Sequence, residues 1–319
     1  MRGISDKFIE DLKTGTLVEV LNTVKVDHTL CLEIRENYIN IYYRGGNALK
    51  ITEKSEGIYE FWFDVKYVAD DTVKQRIDSL LSGSVSTNNM SIAKKWIEQL
   101  PYIKNQMDIW FGQHPKEERE YQQLVAYENN YGSGANSTDY YICDIEYANE
   151  DRRFDMIAVK WPSTTSDRKN NRNLRLSFIE MKYLDGAITG DAGLKKHIMD
   201  FNKFLSDTNN LKNIKDEMVN IFNTKVELGL LNEIKKIASF SDENPEYILI
   251  LANHDPAKSA LFRELRDVIK SNDYVDFCSK AELKIATACF MGYGLYNECI
   301  YSLDKFLIKY EDIFKKMEL

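Results

Sequence analysis

Arg153-Phe154-Asp155-Met156-Ile157-Ala158-Val159-Lys160-Trp161, a polar and basic stretch from Pro162 to Asn173, then Leu174-Arg175-Leu176-Ser177-Phe178-Ile179-Glu180-Met181-Lys182-Tyr183-Leu184: this segment decides how the chain is read. Both ends are rich in β-branched and aromatic residues and a turn-rich loop separates them, the pattern of two strands joined as a hairpin. Side chains two apart on a strand share a face. Leu174, Leu176, Phe178, Glu180 and Lys182 therefore lie together, on a face that starts apolar and ends with a carboxylate beside an ammonium. A solvated face is polar throughout and a core face stays apolar, so a face that changes marks a core ending at a cleft. Asp155, on the neighbouring strand, can bring a second carboxylate to the same place.

Two carboxylates at one point resist joint ionisation unless a cation compensates. A hard divalent ion takes oxygen ligands and neutralises the pair. It also polarises a phosphoryl oxygen and lowers the pKa of bound water. Lys182 is placed to orient the attacking water or to stabilise developing negative charge. The combination suits phosphodiester cleavage. The competing reading is simple ion pairing among Asp155, Glu180 and Lys182 on an ordinary hairpin of an unrelated α+β fold, since surface ion pairs are frequent and cost little.

Asp155, followed by Glu180-Met181-Lys182 on the adjacent strand, resembles the active-site motif of the PD-(D/E)XK nuclease superfamily, with Phe154 where the motif's name has Pro. A helix carrying Glu before the hairpin, three strands, a helix and a further apolar strand give that motif its setting. The resemblance covers about residues 115–300 and leaves the first third of the chain unexplained. It implies a mixed α/β (α+β) architecture: a restriction-endonuclease-like mixed sheet flanked by helices, following an N-terminal domain with a small antiparallel sheet. It implies magnesium or manganese held by Asp155 and Glu180, with Lys182 as the third catalytic residue. A Glu from the first helix often joins such sites, which points to Glu120, with Glu117 behind it. The helix after the E-x-K strand can add Lys195 or His197. The expected activity is metal-dependent endonucleolytic hydrolysis of nucleic acid, DNA foremost, in restriction, repair or anti-phage defence, with a homodimer as one expected assembly. The alternative is a catalytically inactive module of the same fold that binds nucleic acid or protein.

At 319 residues with 44% hydrophobic residues, the chain is long enough for two domains, divided here at 1–113 and 114–319. No apolar run approaches the ~20 residues of a membrane-spanning helix. The first residues, Met1 to Asp6, lack a signal peptide's apolar stretch. A cytoplasmic protein without a membrane partner is the expectation. The five cysteines show no C-x-x-C spacing, which argues for reduced, buried thiols. The net charge of −8 does not advertise a nucleic-acid binder, so any such surface must be local. The densest basic cluster is Arg168, Lys169 and Arg172, with Arg175 just inside the strand. It is read as lying beside the cleft and, with Lys195, as holding a phosphate backbone; a solvated loop is the other reading.

The periodicity predicts a helix over Ile4–Leu21, then strands over Thr29–Arg35, Tyr38–Arg44, Ala48–Glu53 and Ile58–Val68 forming an antiparallel sheet. Its tyrosine-rich strands either present a base-stacking surface, with Arg44 and Lys50 on phosphates, or simply pack, since aromatic residues favour strands. A partner-docking or oligomerisation role is equally open. Helices follow over Asp70–Leu81 and Ser91–Leu100, separated by a loop from Ser82 to Asn89, with a new segment from Pro101. In the second domain the pattern gives a helix over 115–130 and a strand over Asp139–Ala148. After the hairpin come a helix over Ala192–Leu205 capped by Asp191 and one over Leu211–Ala238 that breaks near Thr224. A doubly buried strand over Glu246–Ala252 precedes a helix over Ala257–Ser271, a strand within Ala281–Leu295 and a closing helix over Leu303–Met317.

Overall fold

Alternating aliphatic residues in the first third of the chain pair into a four-stranded antiparallel sheet, β1 (Leu30–Ile34), β2 (Tyr38–Tyr43), β3 (Gly46–Ser55) and β4 (Ile58–Trp62), in that order. The computed structural model describes residues 2–68, 75, 87–149, 152–184, 187–189, 193–253, 261–288, 295, 300–311 and 315. The register stacks Leu32 on Ile41, Ile39 on Ile51 and Ile51 on Phe61, all buried on one face. The helix Met90–Gln113 supplies Trp96, Leu100, Ile103, Met107 and Phe111 to the same core. It runs through Pro101 instead of restarting there, because the apolar stripe continues across the proline and its burial outweighs one missing backbone hydrogen bond. The expected helix over Ile4–Leu21 is two helices, Asp6–Lys13 and Val18–Val26. The break is at Gly15, where a Cβ would come within 2.0 Å of Asp11 Oδ1. Asp11 is itself held by the Tyr59 hydroxyl at 2.8 Å and Lys7 at 3.1 Å. The helix expected over Asp70–Leu81 and the loop from Ser82 to Ser86 lie outside the described residues, Gln75 excepted.

The chain forms two compact units, Met1–Tyr127 with Asn220–Ile234, and Glu128–Val219 with Lys235–Leu319. This differs from a division at 113/114, for reasons visible in two side chains. Gln123, on the helix Glu117–Asn130, donates to Thr29 O at 2.7 Å and accepts from Gly45 N at 2.9 Å, which ties that helix to the first sheet. Lys225, on the helix Thr208–Leu228, donates to both carboxylate oxygens of Glu33 at 2.8 and 2.9 Å. Both groups are buried, so each needs the other.

The second unit is built on a six-stranded mixed sheet in the order β10–β9–β8–β7–β6–β5. Its strands are β5 (Tyr140–Asn149), β6 (Arg152–Lys160), β7 (Arg175–Tyr183), β8 (Glu246–Ala252), β9 (Glu282–Ala288) and β10 (Ile300–Ser302). β5, β6 and β7 form an antiparallel meander; β7, β8 and β9 run parallel; β10 turns back on β9. The near-continuous apolar run of β8 is buried along its whole length, as a strand covered on both faces requires. The helix Leu194–Leu205 lies between β7 and β8 in the chain and buries Leu194, Ile198, Phe201 and Leu205. Its N-cap is Gly193; the expected cap Asp191 and first residue Ala192 lie outside the described residues. The helix Thr208–Leu228 passes Thr224 without a break and stops at Gly229 (φ 67°), a position that favours the residue without a Cβ. Helix Leu261–Ile269 falls within its expected range, whose residues 257–260 are outside the description, as are residues 289–294 of the expected last strand. Helix Asn272–Lys280 and β10 went unanticipated, although Ser271 caps the former by accepting from Tyr274 N at 3.2 Å. Helix Leu303–Lys309 starts where expected. Among the described residues no helix is long and apolar enough to cross a membrane.

At one end of this sheet the first residue of β8, Glu246, is fully buried. Its Oε1 accepts from Lys160 (2.8 Å), Lys284 (2.7 Å) and Arg175 (3.2 Å), and its Oε2 from the hydroxyls of Tyr140 (2.9 Å) and Ser177 (3.0 Å). Burial alone would raise its pKa; Lys160 and Lys284 overcome that and bring it from the usual 4.5 down to about 2. A depressed carboxylate stabilises the fold above its unfolded pKa and loses that contribution as pH falls through the folded value. Stability of the chain is expected to drop as pH falls from about 4.5 towards about 2. Glu246→Gln, which leaves the cations uncompensated, is expected to cost about 3–5 kcal/mol at neutral pH in urea unfolding and to flatten the acid limb.

Candidate active site

The face of β7 that the helix Leu194–Leu205 covers is apolar up to Phe178. Phe178 packs against Phe154 (4.8 Å), Phe201 (4.9 Å) and Phe204 (5.8 Å), and Phe201 against Tyr247 (4.6 Å). Two residues on, the same face turns ionic. Lys182 Nζ donates to Glu180 Oε1 at 2.8 Å, and both residues are only 5% exposed. His197, in the first turn of the helix, meets both: Nε2 lies 2.9 Å from Lys182 Nζ and Nδ1 lies 3.3 Å from Glu180 Oε1. The ammonium can only donate, so Nε2 accepts and Nδ1 carries the hydrogen that points to Glu180; one tautomer serves both contacts.

Asp155 arrives from β6. The ladder between β6 and β7 ends at Met156 opposite Ile179. Beyond it, the Asp155 carboxylate takes the place of a backbone partner, accepting from Met181 N at 2.8 Å through Oδ2. The peptide N–H it binds is thus next in the chain to Glu180. Phe154 joins the aromatic layer, so the residue standing at the motif's proline position is a core residue. The buried phenol of Tyr247 reports the concentration of charge here. Burial first holds its pKa well above the usual value, and Glu180, Asp155 and Asp200 push it the same way. Asp155 is half-buried and the His197 side chain is 30% exposed, so the cluster opens to solvent on their side.

The other expected residues are placed differently. Glu120 belongs to the first unit, where its carboxylate is gripped by Arg44, at 3.0 Å from Nε and 3.1 Å from Nη2, and Arg44 also reaches Asp108 at 2.8 Å. Glu117 is exposed at the start of the same helix. The basic loop is not beside the cluster. Antiparallel pairing of Lys160 with Arg175 puts the connection at the opposite end of the hairpin from Glu180, about 17 Å away at ~3.3 Å per residue. Arg168 stacks over Tyr141 (4.6 Å) and Trp161 (5.5 Å) and donates to Thr138 O at 2.6 Å, with burial lowering its pKa. Arg175 serves Glu246 and Glu282. Lys169 and Arg172 are exposed at that far end, and Lys195 is exposed on the first turn of the helix that carries His197.

Two carboxylates with hard oxygen donors fit magnesium, which takes one or two protein carboxylates and keeps several waters. Oδ2 of Asp155 is engaged by a backbone N–H and Oε1 of Glu180 by Lys182 and His197. Among the described residues, no group of three or more His, Cys, Asp or Glu side chains is arranged to hold a metal. The fold is a mixed α/β protein, and compared with family models, curated proteins and solved structures the chain finds no match. Of Lys195 and His197, the two that the resemblance offers on this helix, His197 is the one in contact with Lys182 and Glu180, while Lys195 is exposed. Tyr247 and Glu246 were missed, although the start of an otherwise apolar strand is where a charge asks for partners.

The Lys182–Glu180 pair should be measurable by itself. Lys182→Met leaves a buried carboxylate without its cation and is expected to cost about 3 kcal/mol in urea unfolding. Combining it with Glu180→Leu should recover much of that loss. Additive effects of the two changes would mean that the pair is not coupled.

Proposed function

We propose that the second unit is a metal-dependent nuclease that hydrolyses phosphodiester bonds of DNA, acting in the cytoplasm. The observation that carries this reading is the Lys182–Glu180 pair, with Asp155 one strand away, at the open end of an otherwise apolar face. An ion pair buried there is a poor source of stability, and ionisable groups gathered at the mouth of a core are where function concentrates. The element order supports the same reading: a helix, three antiparallel strands, a helix and then a parallel strand accompany the motif, as in the nucleases it resembles. Glu120, engaged by Arg44, is left out of the chemistry.

Asp155 and Glu180 would hold the ion. When bound, a divalent cation supplies neutralisation of the phosphate and a more acidic water. Lys182 offers positive charge to a phosphate oxygen as negative charge builds on it. His197 accepts from Lys182 and so fixes where that ammonium points. Tyr247 and the phenylalanines beneath it close the floor and exclude water from that side.

A second reading, a binding module without catalysis, is favoured by one observation: Lys182, Glu180 and His197 already satisfy one another. Incubation of supercoiled plasmid with the chain separates the two. Nicking is expected with magnesium or manganese and not with EDTA. Asp155→Ala, Glu180→Ala and Lys182→Ala are each expected to slow it about 10²–10³-fold while far-UV circular dichroism is unchanged. A wild-type chain that cuts neither DNA nor RNA with any of these ions sinks the enzyme reading and leaves the binding module.

A further inference from the structure

The first sheet has two unlike faces. Leu32, Ile34, Ile39, Ile41, Leu49 and Phe61 fill the core. Strand alternation sends Arg35, Tyr38, Tyr42, Lys50 and Trp62 to the other side. The aromatic residues that pack, such as Tyr43, Tyr59 and Phe61, are buried, whereas Trp62 is 45% exposed and Tyr38 and Tyr42 are half-buried. Lys50 sits between the rings: it pairs across the sheet with Trp62, and its Nζ lies 4.0 Å from the centre of the Tyr38 ring. Tyr42 is held upright by Asn40 Nδ2 (3.0 Å) and Arg35 Nη2 (3.4 Å), and Asn47 braces Asn40 at 3.0 Å. From strand spacing and rise, Tyr38 and Trp62 stand about 12 Å apart.

The charge on this face opposes that of the chain. The strands place Arg35, Lys50 and Lys54 there against Glu33 and Glu60, and Lys225 reaches Glu33 from its helix. Glu33, Arg35 and Lys225 are buried together and Lys54 pairs with Glu60, so the half-buried Lys50 is the cation that this face offers to a phosphate, on a protein whose net charge is −8. A lysine set between rings on β2 and β4, the two strands that flank its own, matches a strand of unpaired nucleotides, whose bases offer flat faces and whose phosphates offer negative charge. Arg44, the other basic residue considered for this role, is committed to Glu120 and Asp108.

We propose that this face, centred on Trp62, Lys50 and Tyr38, binds single-stranded DNA by stacking bases on the rings and pairing phosphates with Lys50. The choice of DNA rests on the nuclease reading; the binding itself does not. Single strands are what a chain opposed to duplex stacking exposes, and a flat sheet face accommodates splayed bases where a duplex hides them.

The test is fluorescence anisotropy of labelled oligothymidylate with the full chain in EDTA, where no metal-dependent cleavage occurs. Wild type is expected to bind with an affinity that falls as salt rises. Trp62→Ala should weaken binding about tenfold, and Trp62→Phe should restore most of it, because a smaller ring still stacks. Lys50→Ala should weaken binding and reduce the salt slope by roughly 0.7. Binding that survives in a chain that cuts nothing upholds this proposal while the nuclease reading falls. No binding to oligothymidylate, binding confined to duplex DNA or to RNA, or equal affinity of folded Trp62→Ala and wild type would each overturn it.

Discussion

One buried carboxylate, Glu246, takes donors from four other strands of the second sheet: Tyr140 of β5, Lys160 of β6, Arg175 and Ser177 of β7 and Lys284 of β9. An anion out of water is tolerable only while its partners stay in place. A slip of one residue in any of those strands would turn the donor to the opposite face. The cluster therefore fixes the register of β6 and β7 at one end, and the period of two carries that register along the strands to Asp155, Glu180 and Lys182. The two ends divide the work. At Glu246 three cations and two hydroxyls over-satisfy one acid; at the other end, acids accumulate and Lys182 with His197 offsets them.

Much of this was legible in the sequence because it is local. The hairpin, the shared face of Phe178, Glu180 and Lys182, and the doubly buried run of β8 all follow from periods of two and from composition. The mistaken position of the basic loop was also a matter of local geometry: a hairpin connection lies beside the last residue of one strand and the first of the next, here Lys160 and Arg175, and not beside residues five further on. What the sequence hid is non-local. Helical spacing placed Glu120 on a plausible face, but nothing near it in the chain announced Arg44 as its partner. Pro101 reads as a boundary only when the packing on both sides of it is unknown, and Gly15 reads as a weak helix residue until Asp11 is seen against it.

The ion pair between Glu33 and Lys225 belongs to the same class of hidden partner, separated by most of the chain. Cys31 donates its thiol to the same carboxylate at 3.3 Å, and Arg35 lies 3.9 Å from it. A strand read from its alternation alone puts Glu33 on a solvated face. In the folded molecule that face is partly roofed by a helix whose sequence position gave no hint of it, and the uncovered remainder is where the exposed rings lie.

The first unit is thus made of two stretches that the gene writes far apart, Met1–Tyr127 and Asn220–Ile234. Cutting the polypeptide after its first third removes Lys225 and leaves Glu33 with only the more distant Arg35 as a cation. Dissection for expression, grafting onto another scaffold, or exchange of modules during descent must move both stretches together or rebuild that corner without charge. The molecule reads from end to end as one text, but it divides along a seam that crosses the chain after Tyr127, Val219 and Ile234.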